Sequence, residues 1–449
     1  MSLTLDLMGK SKSRDDGPRA GLKAALSRQP VVAAVDLGAH KVACFVMKAS
    51  GVDAEARTLT AAGVGYVASR GVKGGAIVSA EEAADAIAMA VERAETIAGE
   101  RVEGVTIATS GGKLASLRVK ARVGLGPRPI SDQDLMRANA AALAQTKHVD
   151  RRAIHLLPIS WSVDDQGKVR DPRGMVGRSL GLELLVVTIS ENAFQTLIHC
   201  VERAHLDFEG VVAAPYVSAL AALEDDEREL GCICIDMGGG STSVAVFQQG
   251  ALVHIDSLPV GGSHVTADIA RGISTTTTGA ERIKTLHGSA IASANEDREM
   301  IEAPPRGDDP GAGPVVAPRS LLKGIIAPRV EETLELLRDR LKASGAPIDP
   351  DAGIVLIGGA SQLAGIREVA VRVFDRPVRL GRPMRAPHLA DAASGPAFCA
   401  AAGALQRAAF GPREIATSRS LAGLKPLPGS GDGQSPVFIR IRDWLRENL

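Results

Sequence analysis

Apolar positions along the chain follow two rhythms. Short apolar runs end on aspartate or glycine, and longer stretches place an apolar residue every three or four positions. The runs read as buried strands and the stretches as amphipathic helices. Residues 31–47, VVAAVDLGAHKVACFVM, predict a strand ending on Asp36, a tight turn and a second strand. Residues 231–247, GCICIDMGGGSTSVAVF, repeat that plan around Asp236. A later run, GIVLIGGAS at 353–361, ends on a Gly-Gly turn. Two strand–Asp-x-Gly–strand hairpins roughly 200 residues apart point to a duplicated domain.

The helical stretches carry their own start and stop signals. Ser79-Ala80-Glu81-Glu82 is a capping box, followed by Ala83, Ile87, Val91 and Ala94 on one face and Gly99 as the stop. A box-like Ser131-Asp132-Gln133-Asp134 opens a second helix. Residues 192–204 and 215–223 predict two more. Thr278-Gly279-Ala280-Glu281 reads as a capping box before Arg282-Ile283-Lys284. Pro328 suits the first position of a helix with Val330, Leu334, Leu337 and Leu341 as its stripe, closed by Gly345. An alanine-rich helix at 396–409 returns to the first domain.

These elements divide the chain. Residues 1–29 read as a mobile tail, 30–110 as the first part of domain one, and 189–224 as its second part. Between them, 111–188 holds β-like pieces and one helix, a small α+β insertion. Residues 225–380 form domain two, in which the Pro/Gly-rich run 295–318 is a surface elaboration, and 381–410 lead back. Residues 411–435 are a flexible linker. In 436–449, Phe438, Ile441, Leu445 and Leu449 share one helical face with Trp444 at its edge, among Arg440, Arg442 and Arg446. Such a helix suits the headgroup boundary of an anionic membrane, or a groove on a partner.

At 449 residues the chain is long enough for two or three domains. Lys plus Arg equal Asp plus Glu at 52 each, so nucleic acid is not favoured as a partner. Five cysteines, mostly inside apolar runs, read as small buried residues of a reducing compartment. No apolar run reaches about 18 residues, so no spanning helix is expected.

The glycines let backbone N–H groups approach an anion, and the hydroxyls of Ser241 and Thr242 can donate to it. Asp36 and Asp236, at the mouths of the two turns, are placed to hold a hydrated Mg2+ ion beside phosphate. Lys41 lies where its ammonium could reach a phosphate, or else is a solvated hairpin lysine. Glu281 and Lys284, one turn apart, belong to a capped surface helix or reach a ribose or adenine edge. Neither common rival phosphate motif is present.

This layout resembles the actin-like ATPase superfamily. With the insertion, linker and terminal helix, it is similar over residues 30–449 to the FtsA family of bacterial cell-division proteins. The resemblance is carried by AAVDLGAHKVACFV, SRGVKGGAI at 69–77, DDEREL at 225–230, CICIDMGGGSTSVAVF, AERIKTLHG at 280–288, PRVEETLELL at 328–337, GIVLIGGASQLAGI at 353–366 and the Trp444 tail. It implies an α/β, actin-like (ribonuclease H-like) duplicated fold with a nucleotide cleft, the insertion being subdomain 1C. It also implies ATP and Mg2+ binding by Asp36, Gly38, Lys41, Asp236, Gly238, Gly239, Gly240, Ser241, Thr242, Glu281, Lys284, Gly358, Gly359 and Ser361. Ala39-His40 stand where the family more usually has Thr-Ser or Thr-Ala. With no Gln or Glu near Pro215, slow ATP turnover at most is expected. Self-assembly into filaments follows from the resemblance, as do tethering of the tubulin-like FtsZ ring to the inner membrane at the division site and recruitment of later division proteins. The FtsZ tail would bind within 285–326, with Arg319 as a candidate contact. Polyphosphate-type phosphatases share the fold and a similar phosphate loop, but need a catalytic carboxylate in the interdomain cleft and have no terminal membrane helix; type IV pilus adaptors share the insertion but lack the linker and terminal helix.

Overall fold

The computed structural model describes residues 31–50, 58–146, 150–292, 298–306, 313–383 and 393–410. Residues 1–29 and 411–435, and Phe438, Arg440, Ile441, Arg442, Trp444, Leu445, Arg446 and Leu449, expected above to form a membrane-bound helix, lie outside the described residues.

Domain one begins with strands β1 (Val31–Leu37), β2 (Lys41–Ser50) and β3 (Thr58–Ala68), then the short pair β4 (Val72–Lys73) and β5 (Ala76–Ile77). Helix α1 (Ala80–Ala98) crosses to β6 (Gly104–Thr109). Its boundaries follow its caps: Ser79 accepts from the Glu82 N–H, and Gly99 adopts φ +67°. The α1 face of Ala83, Ile87, Ala90, Val91 and Ala94 is buried, packing against β2 and β3. Gly63 and Gly65 permit that contact, because a Cβ on Gly65 would lie 2.1 Å from the Ala90 carbonyl.

The insertion supplies β7 (Ala115–Gly124), α2 (Asp132–Leu143), β8 (Arg151–Val163), β9 (Gln166–Val169) and β10 (Ser179–Ser190). Its sheet runs β7-β10-β8-β9, and α2 covers one face. At the start of α2, Asp134 accepts from the backbone N–H of Ser131 at 3.0 Å and from its hydroxyl at 2.9 Å. Trp161, Leu135, Leu180 and Leu184 centre the insertion's own core. On the opposite face of the sheet Leu157, Leu185, Val187 and Ile189 join the core of domain one. The insertion is therefore rooted in that domain rather than hung from it.

Helix α3 (Glu191–Arg203), β11 (Asp207–Ala213), α4 (Ala214–Ala222) and the short α5 (Asp225–Leu230) lead into domain two. There β12 (Cys232–Met237), β13 (Thr242–Gln248) and β14 (Ala251–Leu258) precede α6 (Gly262–Gly272) and α7 (Thr277–His287). A small hairpin, β15 (Met300–Ala303) with β16 (Val315–Pro318), precedes α8 (Arg319–Ala343). Strand β17 (Gly353–Ile357), helix α9 (Ile366–Phe374) and β18 (Val378–Leu380) finish domain two, and α10 (Cys399–Phe410) packs back on α4 and β1.

The duplication is plain in the sheets. Domain one has the order β11-β6-β1-β2-β3, and domain two has β18-β17-β12-β13-β14. In both, the first three strands pair in parallel and the last three antiparallel. Each aspartate is the penultimate residue of the central strand of its sheet.

Three local expectations are corrected. The cap of α7 is Thr276, whose hydroxyl accepts from the Gly279 N–H at 3.0 Å, so Thr278 lies inside the helix. Pro328 is inside α8, not at its start. The helix runs through it because Leu322 and Ile326 before it and Val330 and Leu334 after it bury the same face, which offsets one lost backbone bond. The run 295–318 is not only surface loop: Ile301, Ala303 and Ala317 of its hairpin are buried. All five cysteines are buried and free.

Candidate functional site

The two Asp-bearing hairpins meet face to face across a cleft of about 610 Å³. Their turns touch. A Cβ on Gly240 would lie 2.5 Å from that of Ala39, and one on Gly239 would lie 2.8 Å from that of His40. Side chains there would push the domains apart, so the glycines set the cleft's width. The α6 start seals the second turn, with the N–H groups of Gly262 and Ser263 donating to the Gly238 and Gly239 carbonyls at 3.0 and 2.8 Å.

Asp36 and Asp236 line the floor. Burial pushes the Asp36 carboxyl up to about 7; nearby Lys41 opposes the shift and Asp236 adds to it. Burial also raises Asp236, against a hydrogen bond from Ser218 and the charge of Lys41. Ser218, on α4, donates to Asp236 Oδ2 at 2.8 Å. Lys41 is itself lowered to about 8, chiefly by burial, and its ammonium sits 3.1 Å from the centroid of the Phe398 ring. Two desolvated carboxyl groups share one ammonium, and a cation arriving between them would favour their ionised forms. Among the described residues no group of three His, Cys, Asp or Glu side chains could hold a metal alone. The floor fits an ion whose remaining ligands are water and phosphate, the usual habit of Mg2+.

The wall beyond is built by α6 and α7. Glu281 Oε2 accepts from Lys284 Nζ at 2.7 Å and from the Thr266 hydroxyl at 2.5 Å. Lys284 also donates to the Gly262 carbonyl at 3.2 Å. Both side chains line the cleft, as do Gly358 and Gly359. Gly358, at φ +88°, packs so tightly that a Cβ would stand 2.4 Å from Asp236 Oδ1. The turn after β17 thereby braces the floor from the side.

Not every candidate faces the cleft with a free group. The Thr242 hydroxyl is fully buried and donates to the Val260 carbonyl at 2.8 Å. Ser361 is not among the lining residues; its hydroxyl donates to the Gly358 carbonyl at 2.8 Å and holds the turn. Ser241 lines the cleft but bonds to the hydroxyl of Ser110 at 2.8 Å. Arg319 also lines the cleft, donating to the His287 carbonyl at 3.1 Å and to Glu299 at 2.6 Å. The sequence reading missed Ser110, Ser218, Thr266 and Phe398. Ser110, Ser218 and Phe398 reach the site from elements distant in sequence, Thr266 from the wall helix α6, and no local motif marks any of them.

Cell division protein FtsA of Agrobacterium fabrum is 40% identical over 428 residues, spanning 94% of this chain and 96% of the relative. The chain belongs to the FtsA family. The Pseudomonas aeruginosa member is 32% identical over 95% of this chain and all of the relative, and the Escherichia coli K12 member 30% identical over 84% and 89%. The family model for cell division protein FtsA matches residues 233–403, and a model for the SHS2 domain inserted in FtsA matches residues 111–188. Among solved structures, a PilM–PilN type IV pilus biogenesis complex aligns with TM-score 0.58 at 16% identity, over 85% of this chain and 99% of that one. MreB 5 of Spiroplasma citri bound to AMPPNP aligns with TM-score 0.51 at 15% identity, over 86% and 97%. These likenesses establish the actin-like fold with its SHS2 insertion. Among the described residues no helix is long and apolar enough to cross a membrane.

Proposed function

We propose that this FtsA-family chain is an ATP-binding division scaffold that polymerises on the inner membrane, anchors the FtsZ ring and recruits later division proteins. One observation carries the nucleotide part: two glycine turns converge on a floor with two desolvated carboxylates and one lysine. A solved actin-like relative of the same fold is described as bound to AMPPNP, which supports the reading.

In that role the backbone N–H groups of Gly38, Gly239 and Gly240 would hold phosphate oxygens, while the Gly238 N–H closes its own turn by donating to the Ser241 carbonyl at 2.9 Å. Asp36 and Asp236 would orient Mg2+, and Glu281, Lys284, Gly358 and Gly359 would border the nucleoside. Mg2+ would neutralise phosphate charge when bound. Asp36, Asp236 and Glu281 are the carboxylates lining the cleft; all three are engaged in the roles above, which accords with slow turnover at most. Assembly would use the insertion and self-contacts. Membrane attachment falls to residues 436–449, and FtsZ capture to the 285–326 region.

A fluorescent fusion of the full chain should form a midcell ring that depends on FtsZ. In the same strain Asp236→Ala should weaken binding of fluorescent ATP by about 1–3 kcal/mol. A diffuse or polar signal in cells with intact FtsZ rings would refute the scaffold reading. Unaltered ATP binding by the variant would refute the site.

A further inference from the structure

Ser110 follows β6 and immediately precedes the insertion. Its hydroxyl lies 2.8 Å from that of Ser241, in the phosphate turn of the opposite domain. Both residues line the cleft. The Ser110 carbonyl accepts from the Ser257 hydroxyl of β14 at 3.0 Å. The next residue, Gly111, is pressed against the cleft-lining Gly75: a Cβ on it would stand 1.5 Å from the Gly75 carbonyl oxygen. Gly112, at φ +69°, accepts from the N–H of Ser190, the last residue of the insertion's strand β10. Three consecutive residues thus touch the second phosphate turn, the cleft wall and both ends of the insertion.

Two hydroxyls carry two protons, and their mutual bond uses one. The second proton of the pair has no partner among the described residues. The pair lies on the phosphate turn that follows Asp236 in sequence, on other elements than the α7 wall. An anion arriving there would accept that proton and compete for the bond between the two serines. We propose that Ser110 is a positioning residue for the terminal phosphate of a bound nucleoside triphosphate, and that this contact reports triphosphate occupancy to the root of the insertion. The inference rests on the nucleotide reading above. A diphosphate lacks the group that would take the proton, so it leaves the serine pair as it stands.

The test uses the full chain and its Ser110→Ala and Ser110→Thr variants. Affinities for Mg·ATP and Mg·ADP are measured, together with hydrogen exchange of β7 and β10 in each nucleotide state. Ser110→Ala should lose about tenfold in ATP affinity, the worth of one hydrogen bond to a charged group, and keep its ADP affinity. Ser110→Thr should restore ATP binding. Exchange in β7 should differ between ATP and ADP in the wild type and not in Ser110→Ala. An unchanged ATP-to-ADP ratio in Ser110→Ala overturns the proposal, and so does an equal loss for both nucleotides, which would make Ser110 a purely structural residue. A wild-type chain that binds neither nucleotide sinks the nucleotide reading itself, a result distinct from either.

Discussion

The Ser218 hydroxyl reaches Asp236 Oδ2 at 2.8 Å, so the second aspartate of the cleft is held by a helix of the first domain. This bond crosses between domains and opposes the rise that burial imposes on Asp236. Ser218→Ala leaves the carboxylate in the same desolvated place with one partner fewer. Its pKa should rise further, and Mg·ATP affinity should fall by about 1–3 kcal/mol. The loss should be largest at low pH, where protonation of Asp236 competes with the metal. Titrations with fluorescent ATP at pH 6, 7 and 8 check this. Equal affinity of variant and wild type at every pH would refute it.

Asp36 gives a second pH signature. Its carboxyl is raised to about 7 in the folded chain, against about 4 when unfolded. Between those values the folded state holds a proton that the unfolded state has released. The stability it contributes is therefore full below pH about 4 and is lost as pH rises through about 7. A metal–nucleotide complex needs the carboxylate free, so binding at pH 6.5 should expel a proton. Calorimetry in buffers of differing ionisation enthalpy should show that release at pH 6.5. The release should fade by pH 8.5 and be weaker without Mg2+. Heats that do not depend on buffer at pH 6.5 would contradict it.

The return helix is fixed by one glycine. A Cβ on Gly403 of α10 would lie 1.8 Å from the Val217 carbonyl oxygen of α4. That atom is backbone, so the helices must separate to admit a methyl group. Gly403→Ala should cost about 1–3 kcal/mol. Because α10 directly follows Phe398, which stacks on Lys41, the shift should also weaken nucleotide binding. Urea unfolding and ATP titration of the same variant measure both. An unchanged unfolding midpoint would refute the close-packing argument.

What was legible in the sequence was contiguous. A phosphate turn is written in adjacent residues, because glycine, aspartate and hydroxyl must sit within one hairpin, and the repeat of that hairpin exposes the duplication. Helix α1 was legible because Ser79 and Gly99 act locally. The rest depends on topology. Ser218 and Ser110 contact the second phosphate motif only because two sheets face each other, and neither has a local signature. Thr276 and Thr278 both satisfy the rule for a helix cap, and only packing of the first turn chooses between them. Pro328 obeyed a local rule that burial on both sides of it overrides. Ser361 shows the converse: it sits in a motif next to the cleft yet turns its hydroxyl onto its own backbone.

In the terminal segment 436–449 the apolar residues recur at helical spacing among three arginines. Burying Phe438, Ile441, Trp444, Leu445 and Leu449 at a headgroup boundary should contribute several kcal/mol, at about 25 cal/mol per Å² of apolar surface. Ordering the helix cancels part of that, so a single copy should bind weakly and reversibly. Arg440, Arg442 and Arg446 add an attraction to anionic lipid that salt screens. A filament bearing many copies would bind tightly through avidity, coupling attachment to assembly. Trp444→Glu places a charge at the edge of the apolar stripe and should release the chain from the membrane. The core should stay folded, because a linker rich in Pro, Gly and Ser separates the two. Sedimentation with anionic liposomes at low and high salt, with and without ATP, checks each step. If Trp444→Glu pellets like the wild type, the segment docks on a partner protein and the membrane-tether reading fails.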